Sequence, residues 1–418
     1  MKYASKFRNA VIYNRLLKEK EDNIISLFPS INLIPFYSFD NFIRYRNNIH
    51  FMIDFNQTNN YFNIGVQKKS FTSMNKLNIE HPLVNFNKIL ELFSSYDENS
   101  IIPAKYLIYS SKNSLLITEH FSNFINSHKD ILPKDIFRAF QIREANIDEK
   151  ESFMIIIKLF IPNNEYQLIW EKYEDKLVDH FNNFSNDLYL TSIYKQITNI
   201  KYENTNSDEF ITIHKYDDLI QKINDIYFKI SPGAFFQVNI KTATIIYNKV
   251  KNIYLKTLYD DQMIYDDVYV LDICCGTGTL GLFLADYCNH VYGFEINKHA
   301  IQDCMFNSKY NNKKNTTYIH GPVEKTIYAV FSLFENTKKI VPIINPPKRG
   351  LYKPIIEILL RNQEKIHFFI YVSCNPKSFY RDYQELQTYY KIEYIHLIDQ
   401  FPLTKDVEII VLLKNILK

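Results

Sequence analysis

The apolar run Val268-Tyr269-Val270-Leu271-Asp272-Ile273 passes directly into Cys274-Cys275-Gly276-Thr277-Gly278-Thr279-Leu280-Gly281. A strand that feeds a GxGxxG turn and then a helix is the opening of a nucleotide-binding α/β unit. Glycines let the main chain turn tightly and approach a ligand, and an acid closing the next strand accepts hydrogen bonds from ribose hydroxyls. Glu295 fills that role at the end of the run His290–Phe294, nineteen residues after Gly276. The pattern implies an adenosine-bearing cofactor and leaves open whether it is a dinucleotide or S-adenosylmethionine.

The rest of the C-terminal half repeats the alternation. Helices are expected over Thr242–Leu258, Thr279–Asp286 and Lys298–Tyr310, and apolar strands over Ile340–Ile344, His367–Val372 and Val407–Leu413. Helices alternating with strands predict a mostly parallel, doubly wound sheet. The N-terminal half reads as mixed α/β. It has helical patterns at Arg15–Leu27, Val84–Tyr96 and Gln167–Phe184, and strand patterns at Ile43–Phe55, Tyr61–Val66 and Ser152–Phe160. Only Gly65 precedes Gly233, and the other seven glycines lie between Gly233 and Gly350, so close approach of backbone to ligand is expected in the second half. The division expected is an N-terminal mixed α/β domain over 1–226 and a Rossmann-like catalytic domain over 227–418.

Charge excludes little, since 49 basic residues face 46 acidic ones. The five cysteines, Cys274, Cys275, Cys288, Cys304 and Cys374, show no CxxC spacing, which argues for a reducing compartment and against a metal or iron–sulfur site. No apolar stretch has the length of a membrane span. Met1–Lys20 carries six basic residues and one acid, Glu19, which suits a solvated helix or a mitochondrial presequence. The expected compartment is accordingly the cytoplasm, with the mitochondrion as the alternative.

Two further segments bear on the chemistry. Cys374 ends the run Ile370-Tyr371-Val372-Ser373 and precedes Asn375-Pro376, which suit the N-cap and first turn of a helix. A thiol facing a helix N-terminus is favoured as thiolate, the form that acts as a nucleophile; a buried packing cysteine is the other reading. Asn345-Pro346-Pro347-Lys348 follows the strand Ile340–Ile344 as a rigid polar turn, in the position where many amino- and base-methyltransferases carry a (D/N)PP tetrapeptide. Glu324, in His320-Gly321-Pro322-Val323-Glu324, is placed by the same order of elements near an adenine or on the surface.

Four segments together resemble the RNA uracil-5-methyltransferase family. They are Phe228–Asn239 with its Ser-Pro-Gly-Ala-Phe-Phe-Gln core, Leu271–Leu282, Tyr371–Pro376, and Phe401-Pro402-Leu403-Thr404-Lys405-Asp406-Val407-Glu408. Tyr45-Arg46-Asn47 and Asn63-Ile64-Gly65-Val66 are more faintly similar to the start of the family's N-terminal domain, and the doubled cysteine is most like the eukaryotic transfer-RNA members. The resemblance implies that Cys374 adds to carbon 6 of uracil and that Glu408 later removes the proton from carbon 5. It implies S-adenosylmethionine held by Gln237, Cys274, Gly276, Gly278, Thr279, Glu295 and Asn345. It further implies RNA contacts from Phe236 (or Phe235), Lys348 and Arg349, with Arg44 and Arg46 contacting phosphates from the N-terminal domain. Two positions depart from the family pattern. Asn345 stands where Asp is usual, and Lys348, followed by Arg349, stands where Arg is usual; lysine lacks the planar fork of arginine.

No cysteine precedes Cys274, which removes the iron–sulfur motif of many ribosomal-RNA members and shifts the expectation to a transfer-RNA T-loop uridine, methylated by a monomer. The competing readings are a ribosomal-RNA methyltransferase, a nicotinamide-dependent oxidoreductase built on Gly276, Gly278 and Gly281, and an inactive RNA-binding homologue. The oxidoreductase leaves Asn345, Cys374 and Glu408 without a role, and the intact Cys374 and Glu408 speak against the inactive homologue.

Overall fold

A computed structural model describes residues 2–37, 46–67, 101–104, 107, 110–184, 187–198, 209–334, 339–402 and 404–418. The expected helix Val84–Tyr96, together with Arg44 and Leu403, lies outside them. The chain divides into two units, Met1–Tyr13 with Asn41–Lys222 and Asn14–Asp40 with Ile223–Lys418. The division differs from the expected one because α1 (Lys2–Leu27), from Asn14 on, and β1 (Leu33–Tyr37) fold with the C-terminal half. The cause is a pairing that sequence order hides: β1 lies parallel to a strand more than 350 residues further along the chain, with Leu33 opposite Ile395.

The first unit is built on a seven-stranded sheet. Its strands are β2 (Asn48–Asn56), β3 (Tyr61–Gln67), β4 (Ile101–Pro103), β5 (Phe137–Ile147), β6 (Lys150–Phe160), β7 (Leu188–Thr198) and β8 (Ile211–Lys215), in the order β4-β3-β2-β5-β6-β7-β8. β5 and β6 form a hairpin whose two turn residues, Asp148 and Glu149, both have positive φ, the conformation that matches strand twist in a two-residue turn. β6 and β7 are parallel, which requires a crossover. Among the described residues two helices serve this sheet, α2 (Lys112–Ser127) and the crossover helix α3 (Asn164–Asn182). They bury Phe121 and Trp170, with Phe121 stacked on Phe140 at 4.2 Å and Trp170 edge-on to Phe137 at 5.7 Å.

The chain passes from the first unit to the second at the end of β9 (Ile220–Ile223), and after β10 (Ile226–Lys229) the second unit continues as α4 (Ile240–Asp260), β11 (Val268–Ile273), α5 (Thr279–Leu284), β12 (His290–Glu295), α6 (Lys298–Tyr310), β13 (Thr316–His320) and α7 (Val323–Phe331). It ends with β14 (Lys339–Ile344), α8 (Lys353–Arg361), β15 (Phe368–Ser373), α9 (Pro376–Leu386), β16 (Tyr390–Ile398) and β17 (Glu408–Asn415). The sheet order is β1-β16-β17-β15-β14-β11-β12-β13, parallel except where β17 runs against both its neighbours. Strands buried on both faces carry continuous apolar runs, as in Phe368–Ser373, where every residue is buried.

This topology determines where a site can lie. The chain leaves β11 toward β12 on one side and reaches β14 on the other, a reversal that opens a crevice at the carboxyl ends of the strands. The segments after β11, β12, β14 and β15 all emerge at that edge. Because β17 is antiparallel, it enters the sheet there. Ser373 pairs with Ile409, so Cys374, just past the end of β15, comes to the crevice beside Glu408, the first residue of β17.

Candidate active site

A cavity of about 760 Å³ in the second unit occupies this crevice. Eleven of the thirteen residues expected at the site line it: Gln237, Cys274, Gly276, Thr279, Glu295, Asn345, Phe236, Lys348, Arg349, Cys374 and Glu408. The other two do not. Gly278 turns inward, where an added Cβ would stand 3.0 Å from the Tyr318 hydroxyl and 3.2 Å from Cys304 Sγ. Arg46 belongs to the first unit, where its backbone bridges to Ser110.

The glycine turn has two physically distinct parts. Gly276 has φ +56°, and nothing lies within 4 Å of the position its Cβ would take, so the main chain there faces open space. Gly281 is needed for packing instead, since a Cβ would come within 2.8 Å of Val291 and 2.9 Å of Asp272. Glu295 organises the ligand side of the turn: Oε2 accepts from the Gly276 amide at 3.1 Å and Oε1 from the Asn297 amide at 2.8 Å. Each carboxylate oxygen keeps a second acceptor site. Beneath the turn, buried Asp272 accepts from the Gly281 amide at 2.8 Å, while its Oδ1 has no partner among the described residues. Burial pushes this carboxyl up to about 7, and Glu295 pushes in the same direction.

Opposite the turn, Gln237 Oε1 accepts from Gln400 Nε2 at 3.0 Å, and the Gln400 carbonyl in turn accepts from Asn239 at 3.3 Å. Gln400 lies in a segment anchored from α1. Lys20, 2% exposed, donates to Asp399 Oδ1 at 2.5 Å and to the Phe401 carbonyl at 3.2 Å. The solvated-helix reading of Met1–Lys20 therefore fails at this lysine, which pairs with a carboxylate in the core.

Cys374 is half-buried and Glu408 is 2% exposed. Burial pushes the thiol up to about 11; the Glu408 charge adds to this and Lys348 opposes it. The expectation of a lowered thiol pKa at the helix start is thus reversed, with loss of water the largest cause. Glu408 is pushed up to about 8 by burial alone. The cap differs as well. Asn375 makes no capping hydrogen bond to α9; it donates to the Lys348 carbonyl at 2.9 Å and to Ser378 Oγ at 2.7 Å.

Two more differences concern the RNA-facing residues. Phe236 is 3% exposed and packs toward Phe228, whereas Phe235 is 65% exposed at the cavity, so Phe235 is the one of the pair presented outward. Lys348 Nζ sits 3.1 Å from Asp406, and the Arg349 guanidinium lies 4.1 Å over the Tyr352 ring. Tyr247, Phe401 and Tyr352 line the cavity without having been expected to. Of these, only Phe401 carried a sequence signal, as the start of the Phe-Pro segment that ends at Glu408.

Comparison with known proteins follows the same lines. A family model described as tRNA (Uracil-5-)-methyltransferase matches residues 166–416. An uncharacterized RNA methyltransferase of Staphylococcus aureus is 30% identical over 289 residues, covering 69% of this chain and 58% of that protein, so the chain spans less than two thirds of that relative's length. An uncharacterized RNA methyltransferase of Fusobacterium nucleatum is 29% identical over 349 residues, 79% of this chain and 70% of that one. The crystal structure of Pyrococcus abyssi tRNA (uracil-54, C5)-methyltransferase in complex with S-adenosyl-L-homocysteine superposes with a TM-score of 0.66 at 20% identity, over 96% of this chain and 83% of that chain, which shows a shared fold.

Proposed function

This chain belongs to the tRNA (uracil-5-)-methyltransferase family, and on that premise we propose that it methylates carbon 5 of a uridine in transfer RNA, with S-adenosylmethionine as methyl donor. The observation that carries the proposal is the convergence of Cys374 and Glu408, at the paired ends of β15 and β17, on one cavity with the glycine turn. A nicotinamide enzyme has no use for that pair.

The residues present fit the donor. The open space at Gly276 admits a ligand close to main chain, and the Glu295 carboxylate has acceptor sites left for ribose hydroxyls. Gln237, Cys274, Thr279 and Asn345 line the same cavity, where Asn345 would stand as a neutral amide between donor and base, and of the expected donor contacts Gly278 alone turns away. When bound, S-adenosylmethionine supplies an electrophilic methyl group.

Carbon 5 of uracil is a poor nucleophile until carbon 6 is attacked. Cys374 loses its proton to solvent and its sulfur bonds to carbon 6, which moves the electron pair of the 5,6 double bond onto carbon 5 and the adjacent carbonyl. Once carbon 5 has gained its methyl group, Glu408 takes the remaining proton from it. The double bond re-forms, the S–C6 bond breaks, and Cys374 departs as thiolate. A full turnover releases one proton. Buried at the mouth of its strand, Glu408 has a basicity matched to this transfer near neutral pH.

Transfer RNA as substrate is supported by the family description and by the neighbour of known structure, which is named for uracil-54 of tRNA. To reach Cys374 the target base has to leave its stack. The test uses transfer RNA containing 5-fluorouridine together with S-adenosylmethionine. Fluorine at carbon 5 cannot be removed as a proton, so a covalent protein–RNA complex should persist on denaturing gels and vanish in Cys374→Ala. Absence of adduct with every transfer and ribosomal RNA offered sinks the mechanism; adduct with ribosomal RNA alone sinks the transfer-RNA assignment.

A further inference from the structure

The segment that follows Asn345-Pro346-Pro347 is fixed more firmly than a surface turn needs. Gly350 sits at φ +79°, and a Cβ there would meet Asp382 Oδ2 at 2.6 Å and Arg381 Nη2 at 2.7 Å. Asp382, 1% exposed, uses Oδ2 to accept from the Leu351 amide and from the Tyr371 hydroxyl, both at 2.7 Å. Arg381 donates to the carbonyls of Arg349 at 2.8 Å and Leu351 at 3.3 Å while pairing with Asp382 at 2.6 Å. Upstream, the Lys348 carbonyl is held by Asn375 and by Ser378 at 2.8 Å. Every one of these anchors except Tyr371 belongs to α9 or its N-cap, and Tyr371 lies on the strand that leads to Cys374. The turn and the nucleophile therefore share one rigid frame.

That frame presents Arg349 over Tyr352 at the cavity. Tyr352 is 47% exposed and occupies the N-cap of α8 without making a capping hydrogen bond, although Ser, Thr, Asp or Asn would stabilise that position. Unpaired bases stack on aromatic rings and on guanidinium planes, and a cation lying on a ring combines the two surfaces.

We propose that the Arg349–Tyr352 pair is a stacking platform for the nucleotide adjacent to the methylated uridine, held at a fixed distance from Cys374 by Asp382 and Arg381. The proposal rests on the RNA-methyltransferase reading and deepens it: the substrate segment is single-stranded over at least two nucleotides, with one base inserted in the cavity and its neighbour stacked at the mouth.

The test measures kcat/KM on a transfer-RNA stem-loop for the wild type, Tyr352→Ala and Tyr352→Phe, and on the same RNA made abasic at the nucleotide 5′ or 3′ of the target. Tyr352→Ala should lower kcat/KM on the intact RNA on the order of 10- to 100-fold, mainly through KM, and Tyr352→Phe should restore it because stacking needs no hydroxyl. At one flanking position the abasic RNA should cost the wild type a similar factor and cost Tyr352→Ala little more, since the same contact is already gone. An alanine variant as active as the wild type, or one that loses as much as the wild type to both abasic substitutions, overturns the platform. A wild type that methylates no RNA overturns the underlying reading and the platform with it.

Discussion

Replacing Glu408 by Gln tests the physical basis of the site without reference to any substrate. Burial raises the carboxyl from 4.5 to about 8, with no other contribution. The folded protein therefore holds the proton more tightly than the unfolded chain, and between those two values the unfolded state binds fewer protons. Stability must then fall as pH rises through this window and level off above it. The loss from this one residue integrates to roughly 1 kcal/mol at pH 5, roughly 3 kcal/mol at pH 7 and roughly 5 kcal/mol at pH 9. Glutamine has nearly the same shape and no charge to desolvate, so it escapes the penalty. Against a typical total of about 5 to 15 kcal/mol, the gain above pH 8 is large. Thermal unfolding of wild type and Glu408→Gln, followed by calorimetry from pH 5 to 9, should give midpoints that nearly coincide at the acid end and diverge with pH. At about 2 to 4 °C per kcal/mol for a unit of this size, the variant should melt roughly 10 °C or more above the wild type at pH 9. Asp272 and Glu144 are also pushed up to about 7 by burial, but they are present in both proteins and cancel in the difference. Parallel curves, or a variant that loses stability as pH rises, would refute the claim that Glu408 is held in a site dry enough to raise its pKa.

The same shifts predict the pH dependence of the proposed reaction: in that mechanism Glu408 and Cys374 both act deprotonated, so the single-turnover rate should rise steeply from pH 6.5 to about 8 and less steeply beyond; a flat profile across that range would exclude Glu408 as the base. Lys20→Met should destabilise the second unit by about 3 to 5 kcal/mol, because Asp399 stays buried after losing its lysine, and Lys20→Met/Asp399→Leu should recover much of that loss. Chemical denaturation of the three proteins measures both effects, and an unchanged unfolding midpoint for the single variant would show the pair to be dispensable.

Much of the second unit was legible because its central strands are buried on both faces and read as unbroken apolar runs; Val268–Ile273 and Lys298–Tyr310 fall on the expected residues. The elements that escaped are those whose partners are remote or whose pattern is mixed. β16 alternates exposed Lys391 and Glu393 with buried neighbours, and β13, Thr316–His320, is a short edge strand with polar positions. β1 makes sense as a strand only beside β16, which no local pattern reveals. At the site, the family resemblance pointed to most of the residues that line the cavity but not to their electrostatics. The start of α9 is visible in the sequence, whereas the burial that raises the Cys374 thiol is set by the fold, and the Glu408 charge that adds to it arrives from β17. Likewise, Lys20 reads as one more lysine on a basic helix until Asp399 is brought to it.

The reversal of β17 connects these observations. Parallel strands bring their last residues to this edge, as β12 brings Glu295. An antiparallel strand instead enters the sheet at that edge, so its first residue can be buried in the ladder and still face the cavity. Glu408 is that residue, with Val407 and Ile409 buried on either side. The position that brings the carboxylate beside Cys374 is therefore also the one that raises its proton affinity, and once ionised its charge adds to the burial that keeps the neighbouring thiol protonated. At neutral pH the resting pair is mostly protonated on both members. The stability lost to the buried carboxylate and the steep pH dependence expected of the proposed reaction are then two consequences of where one strand enters the sheet, and the same carboxylate adds to the burial that raises the thiol.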